Sequence, residues 1–236
     1  MQKEELIEEW KRSKFVNNQE VIRAFRKVKR ENFVLRDYNN SAYLDEALPI
    51  LGGQTISQPS TVVCMLDNLE LEKGLKVLEI GTGSGYNAAL ISMVIKPGVI
   101  YTVELVDEVY NFAKENLKGF DNIIIVKCDG SEGLKKFMPY DRIIVTAACP
   151  EIPMNLVNQL KINGILVAPV GKYDQDMIKL VKTTSGNKIE NLGKFVFVKL
   201  KGKFGFKWYL LCKFQEVLEL LFLKQVSLNL WILYLL

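Results

Sequence analysis

The stretch KVLEIGTGSGYNAAL, residues 76–90, decides how the rest of the chain is read. Together with the leucine before it, its first half is a short apolar run, LKVLEIG from residue 75, that suits a buried strand. Its second half opens a helix expected from about Tyr86 to Val94. Between them stand Gly81, Gly83 and Gly85. Glycines belong where a backbone turns sharply or lets a ligand come close. The helix beyond them offers unpaired N–H groups and the positive end of its dipole. A GxG pattern alone says little, but a strand before it and a helix after it make a ligand-binding turn.

The spacing is GxGxG, whereas a dinucleotide fold usually shows GxGxxG with pyrophosphate over the helix start. Three acids narrow the ligand further. Glu104 ends the next strand, 19 residues after Gly85, where a carboxylate accepts both hydroxyls of a ribose. Asp129 ends the third strand, just before Gly130, where an acid suits an adenine amine better than a second phosphate. Glu79 lies inside the first strand, where it would repel a pyrophosphate and suit a sulfonium or an amino group. As a set they favour S-adenosylmethionine over NAD. The plainer alternative is three ordinary strand-end acids.

Outward from this turn, strand and helix alternate. GVIYTVE (98–104), NIIIVKCD (122–129), YDRIIVTAA (140–148) and NGILVAPVG (163–171) read as strands, and residues 106–120 as a helix. MIKLVKTT (177–184) and KFVFVKLKG (194–202) follow in quick succession as further strands. Near-continuous apolar strands separated by helices imply a mostly parallel, doubly wound α/β sheet covered on both faces, with an antiparallel edge at the end. Before the turn, residues 3–35 have helical spacing, broken near Asn17 and Asn18, and residues 60–72 return to it. Residues 36–60 are irregular, and a loop of that length is often functional.

Composition removes several chemistries. The 236 residues include no histidine, so a His-based triad, an imidazole base and a His metal ligand are all excluded. Cys64, Cys128, Cys149 and Cys212 are far apart, with no CxxC pair, so zinc and a disulfide framework are not expected and buried thiols are. The net charge of +4 comes from interleaved lysines and acids and falls short of a nucleic-acid footprint. MQKEELIEEWKRSK has no apolar signal region, and a reducing cytoplasm is the expected setting. The last stretch, residues 208–236, is apolar but interrupted by Lys213, Glu216, Glu219 and Lys224. Its last unbroken run, Leu230 to Leu236, is far below the roughly 20 residues of a spanning helix. A covering element or a homo-oligomer interface is expected there rather than a membrane anchor.

One further segment, GGQTISQPS (52–60), carries hydroxyls and amides but no charge. Taken with AYLDEALPILGGQTISQPS, KVLEIGTGSGYNAAL, CDGSEG, YDRIIVTAACPEIP and LKINGILVAPVG, it resembles the protein-L-isoaspartate O-methyltransferases over roughly residues 3–206. The resemblance implies a Rossmann-like class I methyltransferase fold over residues 1–207, with residues 1–60 as N-terminal helices and substrate loop and 61–207 as cofactor-binding core. It implies repair of damaged proteins: a methyl group passes from S-adenosylmethionine, leaving S-adenosylhomocysteine, to the abnormal carboxylate of isoaspartyl residues in proteins and peptides. The family's active-site serine corresponds to Ser57. The expected cofactor contacts are Glu79, Gly81, Thr82, Gly83, Ser84, Gly85, Glu104, Leu105, Asp129, Gly130 and Thr146, with no metal. The expected substrate contacts are Thr55, Ile56, Ala148, Val170 and Gln175.

A carboxylate, ionised at neutral pH with a reference pKa of about 4, needs no base, so the missing histidine is no obstacle. The site has only to orient it, and two neutral hydroxyls do so without quenching it. The competing reading is that Thr55 and Ser57 only cap the helix after them. Family members commonly have a histidine or an aromatic residue at Ser60 and proline at Lys29 and Lys199, and this chain departs from them there. Other readings are a methyltransferase with a different acceptor, a non-catalytic cofactor-binding module and, less favoured, an NAD-dependent oxidoreductase.

Overall fold

A computed structural model describes residues 3–207. The expected C-terminal element at 208–236, with Cys212, lies outside the described residues. The chain opens with α1 (Lys3–Arg12) and α2 (Gln19–Lys27), which bury Leu6, Ile7 and Trp10 against Val21, Ile22 and Phe25. The rings of Trp10 and Phe25 meet edge-on, 4.8 Å between centroids. The break expected near Asn17 and Asn18 is a helix start: the Asn18 side chain accepts from the backbone N–H groups of Glu20 and Val21.

The helix expected to reach residue 35 stops at Lys27. Val28 is extended, and a single tight turn, Arg30–Phe33, buries Arg30 and Phe33. A two-stranded ribbon follows, β1 (Leu48–Pro49) with β2 (Thr55–Ile56), and then α3 (Pro59–Asn68).

The main sheet begins with β3 (Lys76–Ile80), α4 (Tyr86–Ile95), β4 (Val99–Glu104), α5 (Asp107–Asn116) and β5 (Ile123–Lys127). It continues through β6 (Tyr140–Val145), the short α6 (Met154–Val157), β7 (Leu160–Val170), β8 (Gln175–Thr183) and β9 (Gly186–Phe195). The strand order is β5-β4-β3-β6-β7-β8-β9. Strands from β5 to β7 are parallel, and β8 and β9 add the antiparallel edge. Successive residues face opposite layers: Val77 and Ile144 pack under α1 to α4, while Leu78, Ile80, Ile143 and Val145 pack on the α6 side. Helix α4 is buried almost all round, which fits its lack of a polar face.

The last strand lies earlier than expected, at residues 186–195 instead of 194–202. Its residues are almost all solvent-exposed, so it has no apolar pattern to read. Gly186, at a φ of +129°, closes the hairpin that creates it. Residues 198–200 instead cross the end of the sheet, where Ala148 donates to Val198 and accepts from Leu200. Cys149 is buried, whereas Cys64 and Cys128 are half-buried. Among the described residues no helix is long and apolar enough to cross a membrane.

Candidate active site

The connection from β3 runs to β4 on one side and that from β6 runs to β7 on the other, which opens a crevice at the carboxyl ends of these two adjacent strands. The glycine turn forms its floor. Gly81 sits at a φ of +93°, where a Cβ would lie 2.5 Å from the Thr146 hydroxyl. That hydroxyl donates to the Gly81 carbonyl at 2.6 Å and so locks β3 to the end of β6. Over Gly83, at a φ of +55°, an added Cβ would meet nothing within 4 Å, so a ligand can approach the backbone there.

Glu104 reaches across from the end of β4. One of its oxygens accepts from Gly83 N–H at 3.1 Å, and the other accepts from Leu105 and Val106 N–H at 2.9 and 3.0 Å. These bonds aim the carboxylate and leave lone pairs for a diol. Gly81, Thr82, Gly83, Ser84, Leu105, Gly130 and Thr146 line the same cleft. An open glycine cradle beside an oriented acid fits an adenosyl group bearing a charged amino-acid tail.

Glu79 lies one layer beneath, fully buried, accepting from Thr102 Oγ1 at 2.5 Å and Asn87 Nδ2 at 2.8 Å. Burial pushes its carboxyl from an ordinary 4.5 up to about 7, against the two hydrogen bonds and with help from Glu104. Asp129 is not among the residues that line the cleft. Its oxygens accept from the N–H groups of Ser131 and Lys203, at 2.9 and 2.8 Å.

The opposite wall is the segment around β2. Thr55 and Ser57 line the cleft, while Ile56 between them, which also borders it, is buried. Neither hydroxyl has a hydrogen-bond partner among the described residues. They do not cap α3, because that role falls to Asp45, whose carboxylate accepts from Ser60 N–H at 2.8 Å. The Ser60 hydroxyl accepts from Trp10 Nε1 at 2.8 Å, so the departure at this position is filled by a bond to α1. Lys199 lines the cleft, its ammonium 5.8 Å from the centre of the Tyr173 ring.

Ala148, Val170 and Gln175 are not among the residues that line this cleft. The Ala148 backbone is spent on residues 198–200, and Val170 is bridged to Cys149. Gln175 is buried, donating to the Tyr173 carbonyl and accepting from Phe197 N–H, which fixes the turn after β7. The residue that sequence reasoning missed is Arg30. It is 0% exposed, and its guanidinium donates to the carbonyls of Ala42, Glu46 and Ser57. In KVKRENF it looks like one more surface charge. The only available signal was indirect: an irregular loop of that length needs donors for its carbonyls.

A family model described as Protein-L-isoaspartate(D-aspartate) O-methyltransferase (PCMT) matches residues 1–205. A protein-L-isoaspartate O-methyltransferase of Pyrococcus horikoshii is 44% identical, over 88% of this chain and 99% of its own length. One from Methanocella arvoryzae is 48% identical, over 78% of this chain and 99% of its own. Among solved structures, a putative protein-L-isoaspartate O-methyltransferase of Plasmodium falciparum in complex with S-adenosyl-L-homocysteine aligns with a TM-score of 0.76 and 26% identity. That alignment covers 86% of this chain and all of the other.

The Glu79 environment carries a stability signature. Its folded carboxyl holds a proton between pH 4.5 and 7 that the unfolded chain has lost. Stability therefore falls as pH rises through that window, by up to roughly 3 kcal/mol at one pKa unit per 1.36 kcal/mol. Urea denaturation of Glu79→Gln should show a flatter pH profile there and a more stable protein at pH 7.5. A variant with the slope of the unsubstituted protein would remove the buried proton from the picture.

Proposed function

We propose, because this chain belongs to the protein-L-isoaspartate(D-aspartate) O-methyltransferase family, that it methylates the free carboxylate of L-isoaspartyl residues in damaged proteins and peptides. The observation that carries the reading is one cleft with two unlike walls: the glycine turn with Glu104, and the uncharged hydroxyls of Thr55 and Ser57. When bound, S-adenosylmethionine supplies a methyl group on a sulfonium and leaves as S-adenosylhomocysteine.

Glu104 takes the ribose hydroxyls, and the backbone from Gly81 to Ser84 receives the amino-acid end. Leu105, Gly130 and Thr146 border the cleft between β4 and β6. Glu79, once ionised, is a buried counter-charge beneath the glycine turn. Cofactor affinity therefore rises with pH toward 7 and above.

On the other wall, Ser57 and Thr55 donate to the acceptor carboxylate and hold one oxygen in line with the methyl group. The oxygen's lone pair forms the new C–O bond as the C–S bond breaks, and no proton moves. Orientation is thus the main task of the protein, since it makes a bimolecular step effectively unimolecular. The adjacent backbone amide nitrogen then attacks the ester carbonyl, the C–O bond breaks and methanol leaves with the amide proton, and hydrolysis of the succinimide so formed returns part of the material to normal aspartate. The free thiols of Cys64, Cys128 and Cys149 fit a reducing cytoplasm.

The test is methyl transfer from labelled S-adenosylmethionine to an isoaspartyl peptide, with the matching aspartyl peptide as control. Base-labile label should appear on the isoaspartyl peptide alone. Ser57→Ala should lower kcat by roughly 10- to 100-fold, the worth of one hydrogen bond to a charged group, with cofactor affinity kept. Label on neither peptide, with the cofactor still bound, points to a different acceptor or to a binding module.

Residues 208–236 lie beyond the matched family region and are rich in leucine, and we assign them to self-association. Deleting them should lower the number of chains per particle, read from the light-scattering mass divided by the mass of one truncated chain. An unchanged number of chains would contradict the assignment.

A further inference from the structure

Arg30 raises a question that stability alone does not answer. A guanidinium buried without a carboxylate partner is a net burden on folding. Among the described residues no ion pair involves Arg30. Its Nε and the Tyr86 hydroxyl are the two buried side-chain polar atoms found there without a hydrogen-bond partner. Its guanidinium carbon lies 5.9 Å from the centre of the Tyr86 ring, and Tyr86 lines the cleft.

What the charge does hold is one loop. Its two terminal nitrogens donate to the carbonyls of Ala42, Glu46 and Ser57, the last at 2.9 Å. The Arg30 backbone N–H donates to the Tyr43 hydroxyl at 3.1 Å, and that hydroxyl donates to Glu31 at 2.5 Å. The planar fork therefore joins the start, middle and end of residues 42–57. A lysine ammonium is a single point charge and cannot span the same carbonyls. Fixing the Ser57 carbonyl fixes the peptide plane after it, and with it the direction of the Ser57 Cα–Cβ bond from which the hydroxyl projects.

We propose that Arg30 is a positioning residue for methyl transfer: its buried fork sets the Ser57 backbone, and through it aims the Ser57 hydroxyl at the acceptor carboxylate. This rests on the function proposed above. It also places a positive charge behind the acceptor wall while keeping it off the carboxylate itself, where a direct ion pair would blunt the nucleophile.

A double-mutant cycle separates positioning from plain structural support. Kinetics on the isoaspartyl peptide and the dissociation constant of S-adenosylhomocysteine are measured for Arg30→Lys, Ser57→Ala and the double variant. Arg30→Lys should lower kcat by about tenfold, about 1.4 kcal/mol, with S-adenosylhomocysteine affinity within about twofold. In the Ser57→Ala background the same change should cost less than about threefold, because the group it aims is gone. Equal losses in both backgrounds, unchanged kcat, or a parallel loss of S-adenosylhomocysteine affinity would overturn the proposal.

A fully active Ser57→Ala would remove the serine and Arg30 together while leaving the methylation reading intact. An unsubstituted protein that labels no isoaspartyl peptide sinks that reading instead. If Arg30→Lys does not fold, the unsubstituted protein still decides. Exchange of the Arg30 guanidinium protons, followed by NMR with S-adenosylhomocysteine bound, should slow on adding isoaspartyl peptide and not on adding aspartyl peptide. Exchange unaffected by either peptide overturns the proposal.

Discussion

Strand β3 has β4 on one side and β6 on the other, and the connections that leave the carboxyl ends of β3 and β6 run to opposite sides, to β4 and to β7. That divergence is the constraint on which the rest depends. It leaves a crevice no side chain fills, and it forces the backbone after Ile80 into a turn that only glycine fits. The Thr146 hydroxyl, donating to the Gly81 carbonyl, ties the turn to β6 from below. Glu104, held by Gly83, Leu105 and Val106 N–H groups, closes it from the side. A ligand cradle therefore follows from topology before any particular ligand is considered.

The acceptor wall is built on a different principle. Residues 42–57 have little regular structure of their own, only the two-residue strands β1 and β2 and a tight turn between them. Their carbonyls need donors, and the buried fork of Arg30 supplies them at three points. Asp45 adds a tie to the start of α3, and Trp10 reaches Ser60 from α1. The N-terminal helices thus hold a wall that faces the cofactor side with hydroxyls and no charge. A neutral surface suits an acceptor that is already an anion and needs no base to ionise it.

Much of this was legible in the sequence. The apolar strands, the glycine turn and the acid ending β4 follow local rules of period and spacing, so their positions came through well. The TISQP segment was legible only through family resemblance, since two hydroxyls before a helix look equally like caps. What failed to show depended on partners far away in the chain. Strand β9 is exposed on both faces and carries no apolar alternation. Arg30 sits among charges, and only the folded loop reveals that it is buried. Asp129 stands two residues beyond the end of β5, and its carboxylate accepts from the Ser131 and Lys203 N–H groups.

The central claim is that neutral hydroxyls on a clamped loop orient an anionic acceptor against the methyl donor. The most direct measurement is a crystal structure with S-adenosylhomocysteine and an isoaspartyl peptide bound together. One carboxylate oxygen should lie within hydrogen-bond distance of the Ser57 or Thr55 hydroxyl and in line with the cofactor sulfur, with the Arg30 fork still on the Ser57 carbonyl. A carboxylate gripped by a lysine such as Lys199, with both hydroxyls turned away, would contradict it.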